Sequence, residues 1–99
     1  MRFRGRRDAN HTPIVHALRK AGCSVVELHK VGGGVPDLLV GRNRLAYLLE
    51  VKTAAGLKGR SGNPETFAKQ AEFRLLWRGP EVQVVSTVDE ALRAVGAIR

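Results

Sequence analysis

The spacing of apolar residues changes several times along the chain, and each change marks an element. Ile14, Val15, Ala17, Leu18 and Ala21 recur at helical spacing and give one apolar helix face. Asp8 or Asn10 can cap this helix, Thr12-Pro13 offers a second start because proline fits a first helical turn, and Gly22 ends it. From Ser24 to His29 the pattern alternates. Val25, Glu27 and His29 fall on one face and Val26 and Leu28 on the other, which predicts a strand.

Gly32-Gly33-Gly34 breaks the pattern, and Asp37 to Gly41 reads as a short apolar strand. Arg42-Asn43-Arg44 is a turn in which Asn43 can take a positive φ. Leu45 to Thr53 forms a longer strand, and residues 54–63, with three glycines, Lys58 and Arg60, form a basic loop. Pro64 opens a helix to about Trp77, with Phe67, Ala71, Leu75 and Trp77 facing inward. Gly79-Pro80 stops it, and Val82 to Ser86 is a short strand. Ser86 or Thr87 caps a last helix that carries Asp89 and Glu90 in its first turn, as the helix dipole prefers.

The predicted order is α-β-β-β-α-β-α. A helical crossover after the three-strand meander should lay the fourth strand parallel to a neighbour. The expected fold is therefore α/β, a mixed sheet flanked by helices. Ninety-nine residues suffice for a single domain, residues 8–99, preceded by a basic arm over residues 1–7. There is no apolar run near the roughly 20 residues that span a bilayer, and no apolar segment follows the basic start, so no signal peptide is expected. A single cysteine, Cys23, cannot form an internal disulfide and reads as a small buried hydrophobe. The cytoplasm is the expected compartment.

Charge narrows the function. Lys and Arg total 17 against 9 acids, a formal net charge of +8. Such an excess favours a polyanionic partner, since neutralising phosphates releases counterions. No basic amphipathic helix with bulky apolar anchors argues for a membrane surface instead.

Three ionisable residues interrupt apolar strands: Asp37 between Pro36 and Leu38, and Glu50 and Lys52 within the run from Leu48. Charges in such places are costly unless paired or bound to metal. A hairpin with a two-residue turn at Arg42-Asn43 sets Gly41 opposite Arg44 and Asp37 opposite Leu48. Asp37, Glu50 and Lys52 then share a face, with the two carboxylates diagonal neighbours about 7–8 Å apart at the backbone. A three-residue turn would reverse that parity unless a bulge restored it. Two hard oxygen ligands suit Mg²⁺, which would stabilise charge on an attacked phosphorus and help make hydroxide from water. Lys52 could orient the water or offset phosphate charge, while Val51 points the other way, into the core. The plainer alternative is a turn aspartate beside a same-face Glu50–Lys52 ion pair.

Gly34-Val35-Pro36-Asp37, followed by Leu49-Glu50-Val51-Lys52, resembles the PD-(D/E)XK nuclease superfamily, and more narrowly its stand-alone VRR-Nuc type. The predicted αβββαβ order is similar to that superfamily's restriction-endonuclease-like core, and Gln70, Phe73 and Val84-Val85-Ser86 resemble the family's glutamine helix and last strand. The resemblance spans roughly Asp8 to Val95. It implies that Asp37 and Glu50, with the Val51 carbonyl, bind Mg²⁺ or Mn²⁺. It implies further that Lys52 is the catalytic lysine and that Gln70 approaches the phosphate or the attacking water. Many relatives carry a glutamate in the first helix, where this chain has Asn10-His11 with Asp8 upstream. Either Asn10 or His11 substitutes, or Asp8 reaches in, or the site binds metal more weakly; Glu27, on a strand that neighbours the hairpin but with its face not fixed by the sequence, is another candidate acid.

The resemblance implies a metal-dependent endonuclease acting on DNA, with a four-way junction or flap as first choice of substrate and a homodimer as the working form. RNA remains an alternative substrate. The rival reading is a non-catalytic nucleic-acid-binding module on a nuclease fold, favoured by the missing first-helix acid. Candidate contacts to DNA are Arg2, Arg4, Arg6, Arg7, Lys30, Gly33, Gly34, Lys58, Arg60 and Lys69, with Phe3 as an aromatic in the arm. His11, His16 and His29 show no ligand spacing among themselves. His16 is expected on a helix surface, His29 could meet substrate beside the glycine loop, and Tyr47 and Trp77 read as core or dimer contacts.

Overall fold

A computed structural model describes residues 10–53 and 64–99 of the chain. The basic arm, Asp8, Lys58 and Arg60 lie outside the described residues. The elements are α1 (His11–Lys20), β1 (Ser24–Glu27), β2 (Leu38–Arg42), β3 (Leu45–Val51), α2 (Pro64–Leu76), β4 (Val82–Val85) and α3 (Val88–Ala94). The sheet order is β1-β2-β3-β4, with β1, β2 and β3 antiparallel in turn and β4 parallel to β3. The fold is thus α/β with a mixed sheet and the expected αβββαβ order, followed by a last helix. Among the described residues no helix is long and apolar enough to cross a membrane.

Local chemistry sets the element ends. Gly22 sits at φ +94, where the Gly22 N–H donates to the Arg19 carbonyl and the Cys23 N–H to the Leu18 carbonyl. These are the two bonds of a Schellman stop, which needs a left-handed residue at that position. The Thr87 hydroxyl accepts from the Glu90 N–H at 3.0 Å and so caps α3. The β2–β3 turn is Asn43-Arg44, with φ of 53° and 67°, the two positive values of a type I′ hairpin turn.

That turn lies one residue later than the sequence reading placed it. Arg42 pairs with Leu45 and Leu38 with Leu49, so continuing the register sets Asp37 directly opposite Glu50 rather than diagonal to it. The strands themselves end at Val51 and Val85, one or two residues earlier than expected.

The two faces of the sheet differ. Leu38, Val40, Leu49, Val51 and Val85 point to one face and pack with Ile14, Val15 and Leu18 of α1 and Ala91 and Val95 beside them. Cys23 is buried in the same cluster. Each fully buried leucine here contributes about 1.5–3 kcal/mol. The opposite face carries Glu50 and Lys52 and meets α2 through Gln70 and Phe67. The expected inward stripe of α2 is not found: none of its residues is buried, and Leu75 is 80% exposed. The i, i+4 spacing of Phe67, Ala71 and Leu75 is helical, but of that stripe Phe67 stands beside Lys52 while Leu75 faces solvent, and the polar Gln70 makes the hydrogen bond to the sheet. Trp77 lies just past α2, stacks on Phe73 and donates its indole N–H to the Pro80 carbonyl. Tyr47 packs against the core.

Candidate active site

The C-terminal ends of β1, β3 and β4 and the N-terminal end of β2 share one edge of the sheet. Asp37 enters β2 at this edge, and Glu50 leaves β3 there. Asp37 Oδ2 accepts the Val51 backbone N–H at 2.8 Å, which ties the first acid to the strand that carries the second. Val51 itself points into the core, so its side chain anchors the motif while Glu50 and Lys52 project to the α2 side.

Glu50 is 4% exposed, an unusual place for a carboxylate. Its Oε2 lies 3.2 Å from Lys52 Nζ and accepts from Gln70 Nε2 at 3.1 Å. Burial pushes its carboxyl above the usual carboxylate range, and the negative charge of Asp37 pushes it further; Lys52 and Arg74 oppose the rise. Lys52 Nζ also stands 6.0 Å from the centre of the Phe67 ring. Four residues singled out from the sequence, Asp37, Glu50, Lys52 and Gln70, are therefore brought together from three segments far apart in the chain.

One glycine holds this arrangement. Gly34 has φ +81, and its α-carbon faces the Lys69 carbonyl of α2 so closely that a β-carbon would collide with the helix backbone. The glycine loop that leads into Asp37 thus rests on the turn of α2 that presents Gln70. Lys30, Gly33 and Lys69 are exposed, and Gly34 is half-buried.

The first-helix residues do not complete the pair of acids in the expected way. Asn10, at the start of α1, donates its side-chain amide to the Ser86 carbonyl and, at 3.1 Å, to the Lys52 carbonyl. It brackets the ends of β3 and β4 from behind. Its Oδ1 and the Ser86 hydroxyl are buried with no hydrogen-bond partner among the described residues. His11 is 1% exposed and its Nε2 lies 3.0 Å from Glu27 Oε1. Glu27 pairs with Leu38, so it faces α1, away from Glu50. Among the described residues no third acid, cysteine or histidine groups with Asp37 and Glu50 at metal-ligand spacing.

The three histidines show no ligand spacing in the sequence, but the fold brings His11 together with His29. Its ligating atom falls within 4.8 Å of those of His11 and Glu27, so the histidines do gather, with a carboxylate between them. The alternation of Glu27 and His29 on one face was a visible signal. The pairing of that face with the start of α1 was not. His16 is exposed, as expected.

No protein-family model matches the chain, and neither a curated protein nor a solved structure matches it.

Proposed function

We propose that the chain is a divalent-metal-dependent endonuclease that hydrolyses phosphodiester bonds in DNA, as its resemblance to the PD-(D/E)XK superfamily implies. The observation that carries the reading is Glu50, a buried carboxylate whose ionisation is opposed by both burial and Asp37. A buried carboxylate facing a second, partly buried one carries negative charge that Lys52 offsets only in part, and a divalent cation between the two would relieve it. Asp37, Glu50 and the Val51 carbonyl form an all-oxygen donor set, which fits Mg²⁺ or Mn²⁺. A cation bound there would supply Lewis-acid stabilisation of charge on the phosphate.

The chain's own residues supply the rest. Lys52 offers its ammonium to the attacked phosphate or the water, on the same side as Glu50. Gln70, on a separate element, donates to the Glu50 carboxylate, and in this reading it also approaches the phosphate or the attacking water. The net charge of +8 supplies non-specific affinity for a polyanion. We read the substrate as branched DNA, a four-way junction or a flap, cut by a homodimer whose two sites oppose each other. Leu75, Leu76 and Trp77 are exposed at the end of α2 and are the apolar surface that a second copy would cover.

A second reading is favoured by one observation. The described first-helix residues make contacts other than with Asp37 and Glu50. A non-catalytic DNA-binding module would need no third acid. Asp37→Asn separates the two. The nuclease reading expects cleavage to be lost while DNA binding is kept or improved, because a repelling negative charge is removed. Wild-type protein that binds DNA yet cuts nothing with either metal supports the module.

A further inference from the structure

We propose that His11, Glu27 and His29 form a second cation site, one for a transition metal such as Zn²⁺, separate from the Asp37–Glu50 pair. The three residues come from the start of α1, the end of β1 and the loop that follows it. Their ligating atoms all lie within 4.8 Å of one another. His11 Nε2 is 3.0 Å and His29 Nδ1 4.0 Å from the same oxygen, Glu27 Oε1. The two rings stand edge to face, 5.4 Å between centres, so they do not stack and can both turn a nitrogen toward one point. Ligand atoms around a tetrahedral zinc lie roughly 3.4 Å apart, given bonds of about 2.0–2.1 Å. The cluster is close to that spacing and needs only side-chain adjustment to reach it.

The donor chemistry sets the selectivity. Two imidazoles and one carboxylate favour zinc, cobalt or nickel over magnesium, whereas Asp37, Glu50 and a carbonyl favour the reverse. Three protein ligands leave a coordination position for water. Access exists on the Glu27 side, where a surface cleft is lined by Thr12, Val15, His16, Arg19 and Glu27. Arg19 Nη2 lies 3.9 Å from the other Glu27 oxygen and donates to the Val25 carbonyl at 3.1 Å; its side chain is 54% exposed, so solvent screens its charge from the site.

The position gives the site a consequence. It lies at the same sheet edge as Asp37 and Glu50, on the opposite face. Leu28, between two of the ligands, donates its N–H to the Asp37 carbonyl at 2.7 Å. A bound ion would clamp the start of α1, the end of β1 and the loop entering Asp37 to one another. The inference does not rest on the nuclease reading, since a chain that cuts nothing would bind zinc here equally.

The test uses the full chain stripped of metal by a chelator. Asp37→Asn protein, in which the other site is disabled, is titrated with Zn²⁺ by calorimetry and with Co²⁺ by visible absorption. The expected result is about one equivalent bound with micromolar or tighter affinity, with a Co²⁺ band of low-symmetry coordination. Adding His29→Ala should weaken binding at least 100-fold. In parallel, ring nitrogen resonances of wild-type protein are followed by NMR during Zn²⁺ addition, which needs no variant to fold. His11 and His29 should shift and His16 should not. Binding that survives His29→Ala, or ring nitrogens of His11 and His29 that stay unmoved at saturating Zn²⁺, would overturn the proposal.

Discussion

Glu50 accepts a hydrogen bond from Gln70 at 3.1 Å, across the gap between β3 and α2. That contact joins the motif on the hairpin to a helix none of whose residues is fully buried. The helix is held where it matters by Gly34 below Lys69 and by Gln70 on Glu50, so packing at two points positions the site.

Gly34→Ala should test this directly. The substitution strains a left-handed backbone and drives a β-carbon into the Lys69 carbonyl. The collision adds about 1–3 kcal/mol to a backbone strain of about 1–2 kcal/mol, with loss of any cleavage activity. Gly33→Ala meets no neighbour and should cost only the backbone strain, about 1–2 kcal/mol. Chemical denaturation of both variants compares them. Equal stability would mean that the loop does not rest on α2.

Glu50→Gln should stabilise the metal-free protein at neutral pH. The Glu50 carboxyl is raised in the folded state, so the folded chain holds its proton more tightly than the unfolded one. The stability this contributes is present below the ordinary pKa of 4.5 and is lost as pH rises through the raised value. Melting in EDTA should therefore favour Glu50→Gln at pH 7–8, and the advantage should shrink toward pH 4. With Mg²⁺ the order should reverse, because only the wild type gains from binding. A variant that melts lower than wild type in EDTA at every pH would contradict the account.

Proton and cation compete for the same carboxylate. Any Mg²⁺-dependent cleavage should thus fall on acidification at a pH above the usual carboxylate range, and higher Mg²⁺ should move the fall to lower pH. At sub-saturating Mg²⁺, a profile flat down to pH 4.5, the ordinary carboxylate value, would remove Glu50 from the metal site.

Arg44→Gly should raise stability. Arg44 holds φ 67° in the hairpin turn, a conformation costing a side chain about 1–2 kcal/mol and glycine nothing. Part of the gain is offset by the freedom of glycine in the unfolded chain. A net gain of about 0.5–1 kcal/mol raises the melting temperature by a few degrees, on a scale of about 4–8 °C per kcal/mol. Inserting a residue in the turn should instead move Asp37 to the face away from Glu50 and abolish metal binding there.

The hairpin also explains what could be read from the chain. A two-residue turn at Arg42-Asn43 or at Asn43-Arg44 leaves Asp37 and Glu50 on one face, because shifting the turn by one residue moves both strands together. Parity survives such an error, and separation does not: diagonal became directly opposite. Gln70 was identified by resemblance and Glu50 by the oddity of a charge in an apolar run. The His11–Glu27–His29 cluster escaped because its spacing is set by how α1 crosses β1, which no local pattern encodes. The inward stripe assigned to α2 failed for a similar reason. Helical spacing says which residues share a face but not whether anything covers that face.

The most direct test of the central claim is gel-resolved cleavage of labelled four-way junction, flap, duplex and single-stranded DNA, and of RNA. Each is incubated with Mg²⁺, Mn²⁺ or EDTA and either wild type or Lys52→Ala. Cutting of branched DNA that requires metal and falls at least about 100-fold in the variant is expected. Intact substrates throughout, with tight and salt-sensitive binding, would contradict it and leave a DNA-binding module on this fold.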